Sequence, residues 1–211
     1  MTSGVEEIAG RLLDGVTAAR RIVAIAGAPG AGKSTFAGAL ERALNARRPG
    51  VATVMPMDGY HLDNAILDAR GLRAVKGAPE TFDVDGLASD LARVRAAGRA
   101  VLVPVFDRTL DLARACAREI APDTPLVLLE GNYLLLERAP WPELAAMFDT
   151  SIYLDVPEAE LERRLVERWL AHGHDAGAAR ARALGNDIPN ARLVAAASRP
   201  ADITVTQPPA P

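Results

Sequence analysis

Gly27-Ala-Pro-Gly-Ala-Gly32-Lys33-Ser34 sets a run of small residues ahead of a lysine and a hydroxyl, the pattern G-x-x-x-x-G-K-[ST]. Small residues let successive backbone N–H groups curl around a phosphate, and a helix starting there turns its positive end toward the same anion. Lys33 is then expected on the β- and γ-phosphates of a nucleotide, and the Ser34 hydroxyl on Mg²⁺. The candidate nucleotide-binding set is Gly27, Ala28, Pro29, Gly30, Ala31, Gly32, Lys33, Ser34 and Thr35. Gly30-x-Gly32 also begins a dinucleotide fingerprint, but Thr35 stands where that fingerprint needs its third glycine.

A phosphate loop implies a nucleotide and leaves the reaction open. Transfer to an alcohol also needs a group that aligns the hydroxyl and accepts its proton. Asp58 follows the apolar run Val51–Met55 and is the candidate base; its other reading is a cap on Gly59 and Tyr60. Leu126-Val-Leu-Leu-Glu130 ends an apolar run in an acid, the position of a carboxylate that serves the metal. After Pro157, Leu161, Leu165 and Trp169 form one helical stripe, which Arg164 and Arg168 flank while Arg163 points away. Arginines on a lid would neutralise transition-state charge, and the alternative is surface pairing of Glu160 with Arg164. His61 is a candidate for an acceptor hydroxyl. Arg70, Arg73 and Lys76 are candidates for an anionic acceptor, and Asn186, Asp187 and Asn190 are open between adenine contact and turn chemistry.

These residues need a scaffold that brings them to one edge. Ile22–Ala26, Val51–Met55, Ala100–Val105, Leu126–Leu129 and Ser151–Val156 are continuous apolar runs, as parallel strands covered on both faces require. Helices are expected over about Ser3–Ala19, Thr35–Leu44, Asp83 to Gly98, Pro157–Ala171, Asp175–Leu184 and Asn190–Ala197, with a last strand at Ile203–Thr206. The alanine content of Thr109–Ile120 favours a helix, and its closeness to the preceding strand leaves it open. The fold class is α/β, a three-layer sandwich with a mostly parallel sheet. A frayed tail is expected at 207–211.

Composition agrees with one globular unit: 211 residues, 49% hydrophobic, 24% charged. With 24 Lys and Arg against 27 Asp and Glu and no basic run, a nucleic-acid partner is not expected. Cys116, the single cysteine, excludes an internal disulfide and is expected as core filler. The acidic N-terminus and the lack of a long apolar run argue against a secretory signal and a membrane span, so a cytoplasmic protein is expected. The oligomeric state is open, a homodimer included.

Asp58-Gly-Tyr-His-Leu-Asp-Asn64, Arg70-Gly-Leu72, Lys76-Gly-Ala-Pro-Glu-Thr-Phe-Asp83, Pro104-Val-Phe-Asp-Arg108 and Glu130-Gly-Asn132 resemble, in order and spacing, the acceptor-site blocks of the phosphoribulokinase, uridine kinase and pantothenate kinase group. The resemblance runs from about Ile22 to Val205 and is strongest to short bacterial members described as fructose-transport-system or nucleoside/nucleotide kinases. It implies one P-loop kinase domain over 1–206 with a helical lid at about 157–190, using ATP and Mg²⁺. It implies Asp58 as base, Lys33 on phosphate, Ser34 and Glu130 at the metal, and Arg164 and Arg168 in the lid. Tyr60, His61, Asp83, Phe106, Arg108 and Asn132 would line the acceptor pocket. Phe106 departs from the tyrosine of the uridine and pantothenate kinases. The implied activity is phosphorylation of a small polar metabolite, a sugar such as fructose ahead of a nucleoside or pantothenate. A nucleotide-hydrolysing regulatory factor is the rival class, although the chain has no [NT]-K-x-D element of a GTPase.

Overall fold

The apolar run ahead of the glycine-rich loop forms β1 (Arg21–Gly27) in the computed structural model, which describes residues 2–207. β1 is the centre of a five-stranded sheet, with β5 (Leu126–Gly131) on one side and β6 (Thr150–Asp155) on the other. β2 (Ala52–Pro56) pairs beyond β5 and β7 (Ile203–Thr206) beyond β6, every pairing parallel. β5 is buried at every position, which is why its sequence runs apolar from Leu126 to Leu129 instead of alternating.

Alternate side chains of β1 feed two cores. Val23 and Ile25 pack with Leu128 and Ile152 under α1 (Thr2–Asp14), α2 (Lys33–Arg47) and α5 (Glu158–Ala171), through Ile8, Leu40 and Leu161. Ile22, Ala24 and Ala26 face the other way, with Leu87, Leu91 and Val94 of α4 (Val84–Ala96) in the same core. This is the expected three-layer α/β sandwich. Each fully buried Leu or Ile contributes about 1.5–3 kcal/mol, so both layers hold the sheet firmly. The register sets Ala26 beside Gly131 and Pro56 beside Glu130, so the residues after β1, β2 and β5 emerge on one edge.

Several expectations are corrected. α1 ends at Asp14 instead of Ala19, before Gly15, whose carbonyl accepts Arg21 Nη1 at 2.9 Å. Ser3 already has helical backbone and is no cap. α4 ends on Ala97, which takes the left-handed conformation (φ 50°) expected of Gly98. The run Ala100–Val105 is not a strand of the main sheet: β3 (Val101–Asp107) pairs antiparallel with β4 (Leu112–Ile120) as a separate ribbon. Val101 and Val103 are buried while Leu102 is 46% exposed, so only one face is covered, as an antiparallel ribbon allows. Thr109–Ile120 is therefore largely strand. Cys116 is exposed instead of buried, at φ 53°, where the register jumps from Val103↔Arg118 to Val105↔Arg114 and leaves extra β4 residues outside the ladder. Gln207 is not frayed: it is buried, donates to the Ala31 carbonyl at 3.3 Å and accepts Arg164 Nη1 at 3.0 Å. Residues 208–211 lie outside the described residues. Among the described residues no helix is long and apolar enough to cross a membrane.

Candidate active site

The loop between β1 and α2 needs glycine where it passes under the lid. Gly30 has φ +82°, and a Cβ there would lie 3.0 Å from Leu165 Cγ of α5. Ala28 and Ala31 are buried beneath the loop, leaving backbone as their contribution to a ligand. Lys33 opens α2, is buried, and donates Nζ to the Ala28 carbonyl at 2.9 Å. Burial pushes its ammonium down to about 8, against the pull of Glu130 and Asp58.

That shift carries a signed prediction. Phosphates favour charged Lys33, so below pH 8 the cation is already present, whereas above it binding must restore a proton. ATP affinity is expected to fall as pH rises beyond about 8, by up to about tenfold per unit. Calorimetry at pH 9 in buffers of different ionisation enthalpy reads the proton uptake. No uptake would mean that the lysine stays charged in the free protein.

Ser34 Oγ donates to Glu130 Oε1 at 3.1 Å. Burial raises the Glu130 carboxyl, and Asp58 adds to that, while Lys33 and the Ser34 hydrogen bond oppose it. Two hard oxygens beside the phosphate loop suit Mg²⁺, which binds few protein ligands and keeps phosphate and water as the others. When bound, the ion would supply counter-charge to the phosphates.

Asp58 lies in a 3-10 turn, Met57–Tyr60, at the carboxyl end of β2. Gly59 lets the Pro104 carbonyl of β3 press against this turn, since a Cβ would collide with it. The ribbon is thereby brought against Asp58, whose Oδ2 accepts Arg108 Nη2 at 2.9 Å. His61 Nδ1 is 2.7 Å from the Asp58 carbonyl, which can only accept, so Nδ1 carries the proton. Burial lowers the His61 pKa and favours the neutral ring, whose Nε2 is then an acceptor. The ring sits between Phe82 and Phe106, at centroid distances of 4.1 and 4.6 Å. Lys76 Nζ, 5.0 Å from the Phe106 centroid, is held by Asn64 Oδ1 at 2.7 Å and Asp111 Oδ1 at 2.9 Å.

A cleft of about 340 Å³ joins the two halves, lined by the phosphate loop, Asp58, His61, Phe106, Arg108, Glu130, Asn132 and the α5 arginines. Two expected acceptor residues are not among its lining. Tyr60 is buried and donates its hydroxyl to Asp90 Oδ2 at 2.7 Å. Asp83 instead caps α4, accepting Gly86 N at 2.9 Å. Arg70 and Arg73 also lie off the lining, Arg73 pairing with Asp68 at 3.0 Å. His172 and His174 are exposed beyond α5.

Arg164 pairs with Glu160 at 2.6 Å, as its surface reading expected, and still lines the cleft. Arg168 also lines the cleft, with Nη2 3.4 Å from Asp187 Oδ1. Arg163 points away and pairs with Glu160 and Glu167, each at 2.6 Å. Asp187 also accepts Trp169 Nε1 at 2.6 Å, while the Asn186 amide donates to the Lys76 carbonyl at 3.0 Å. These residues thus brace the base of the arginine helix and the acceptor loop. Sequence reasoning missed Arg182, which lines the cleft with its guanidinium 4.8 Å from the Trp169 ring. It lies on α6 (Ala176–Arg182), beyond the end of the α5 stripe, and no local pattern marks it.

A parallel sheet with the phosphate loop at the end of its central strand, and arginines reaching over that loop from a following helix, defines a P-loop kinase. The chain belongs to the Phosphoribulokinase / Uridine kinase family, whose sequence profile matches residues 22–206. It is 38% identical over 188 residues to the uncharacterized protein YggC of Escherichia coli K12, covering 88% of this chain and 77% of that one. It is 36% identical over 162 residues to the pantothenate kinase of Parvibaculum lavamentivorans, covering 71% of this chain but 48% of that enzyme. The crystal structure of a "putative fructose transport system kinase" from Silicibacter sp. TM1040 superposes with a TM-score of 0.90 at 46% identity, covering 95% of this chain and 98% of that one. The protein is an enzyme, a phosphotransferase with a hydroxyl group as acceptor.

Proposed function

We propose that this kinase uses ATP to phosphorylate a hydroxyl of a small polar metabolite, a sugar such as fructose, with Asp58 as the base. The observation that carries the reading is one carboxylate, Asp58, lining the same cleft as Lys33, Ser34 and Glu130. The acceptor hydroxyl gives its proton to Asp58 as its oxygen bonds to the γ-phosphorus, while the bond from that phosphorus to the bridging oxygen breaks and ADP leaves. Lys33, Arg164 and Arg168 offset the charge that develops on the transferred group. Ser34 and Glu130 would hold Mg²⁺. His61 Nε2 would accept from a second hydroxyl of the acceptor, and Asn132 offers an amide on the same wall.

Similarity to the Silicibacter protein supports a sugar. Phe106 lacks the hydroxyl of the corresponding tyrosine, and the match covers 48% of the pantothenate kinase, both of which weaken a pantothenate assignment. Incubation with Mg-ATP and pooled sugars, nucleosides, polyols and pantothenate, read by mass spectrometry for an added phosphoryl group, tests the reading. Phosphorylation of pantothenate or a nucleoside in preference to any sugar would replace the sugar assignment.

The lid supplies a paired test. Arg168→Ala is expected to lower kcat by at least about tenfold, since its charge serves the transition state more than the ground state. Arg163→Ala, whose partners are Glu160 and Glu167, should change kcat little. Equal small effects would mean that the arginines do not act on the transferred group.

A further inference from the structure

The candidate base is already occupied. Arg108, just past β3, reaches across to Asp58 and holds its Oδ2 at 2.9 Å; the two side chains are 52% and 26% exposed. Neighbouring polar groups are directed elsewhere: Lys33 Nζ to the Ala28 carbonyl, Ser34 Oγ to Glu130, and His61 Nδ1 to the Asp58 backbone carbonyl. An uncovered carboxylate in this cleft would take a proton from water as readily as from an alcohol. A guanidinium on Oδ2 occupies a lone pair that would otherwise face an incoming proton. A half-exposed ion pair is also weak, as a contact that must open in each turnover requires.

We propose that Arg108 caps Asp58 until the acceptor enters, restraining hydrolysis of bound nucleotide, and that the acceptor displaces it. This rests on Asp58 being the base. In the restrained reaction the water oxygen bonds to the γ-phosphorus, and the bond from that phosphorus to the bridging oxygen breaks. ADP leaves with the bridging oxygen, and the proton of the water goes to Asp58 and then to solvent. In the kinase reaction the acceptor oxygen replaces the water. The freed guanidinium needs an acceptor of its own, so the substrate must carry an oxygen beside the reacting hydroxyl. A vicinal diol meets this condition, and an isolated alcohol does not.

The hydrolysis measurement needs no acceptor, and only the control on Asp58 uses the one identified from the pooled metabolites. ADP release from Mg-ATP in water alone is measured for the wild type, Arg108→Gln, Asp58→Asn and the double variant, with ATP affinity as the check on folding. Arg108→Gln is expected to raise hydrolysis by at least about threefold with ATP affinity unchanged, and Asp58→Asn in the same chain should abolish the increase. Hydrolysis by Arg108→Gln at or below the wild-type rate would overturn the cap and leave Arg108 an acceptor-binding residue. An increase that survives in the double variant would overturn it too, since water would then react without Asp58. If the glutamine variant fails to bind ATP, Arg108→Ala, which also removes the cation from Asp58, decides on the same criterion. Failure of the base assignment is distinguishable, because Asp58→Asn alone would then transfer normally to the acceptor.

Discussion

Asp58→Asn is expected to cut acceptor-dependent ADP release by roughly 10²-fold or more, the usual scale of general-base catalysis. Asparagine keeps the shape of the side chain, and its Oδ1 can still accept Arg108, so the cleft should hold its form. The proton acceptor alone is lost. Nucleotide binding should survive, because the phosphates are expected against Gly27 to Ser34, on the other half of the cleft. Removing a negative charge near a polyanion should not weaken its binding and can strengthen it. A nucleotide titration of the variant beside its turnover separates the two effects. Normal transfer would eliminate Asp58 as the base, and lost ATP binding would recast it as a structural or metal-site residue.

Lys33→Ala should lower turnover by about 10²–10³-fold, as for loss of a preorganised donor on developing charge. ATP affinity should fall with it. Glu130, buried beside Lys33, would lose a nearby cation that holds its proton affinity down, so the variant also takes up charge less readily at the metal edge. Circular dichroism and steady-state kinetics, run together, distinguish a catalytic defect from misfolding. Unchanged turnover would remove the phosphate loop from the reaction.

How far the sequence carried depended on whether a role was written locally. The phosphate loop is contiguous, and Asp58 and Glu130 each follow an apolar run, so parallel strands had to deliver all three to one sheet edge. Arg164 and Arg168 were readable from the stripe Leu161, Leu165 and Trp169, because one helix fixes their directions. The ribbon was not readable. Val101–Val105 is as apolar as a buried strand, and only its pairing with β4 shows that one face is covered. Cys116 followed the common habit of its residue type and was carried outward by a bulge. Tyr60 belongs to an acceptor block by resemblance, yet its partner Asp90 lies a full loop and helix turn later, where no motif announces it. The tie from Asn186 to Lys76 is likewise a long-range contact that neither segment encodes alone.

The β3–β4 ribbon shares no ladder with the five-stranded sheet, yet Phe106 and Arg108 at its end line the cleft beside Asp58. Chemistry and scaffold are thereby divided within the ribbon: its tip, 106–112, can change without touching the main sheet, whereas Val101, Val103 and Ile120 belong to the core shared with β1 and β5. The same division offers a route to redesign. A ribbon transplanted from another kinase needs to keep the buried side chains at 101, 103 and 120, the backbone pressed on Gly59 and the guanidinium of Arg118 on the Val54 carbonyl.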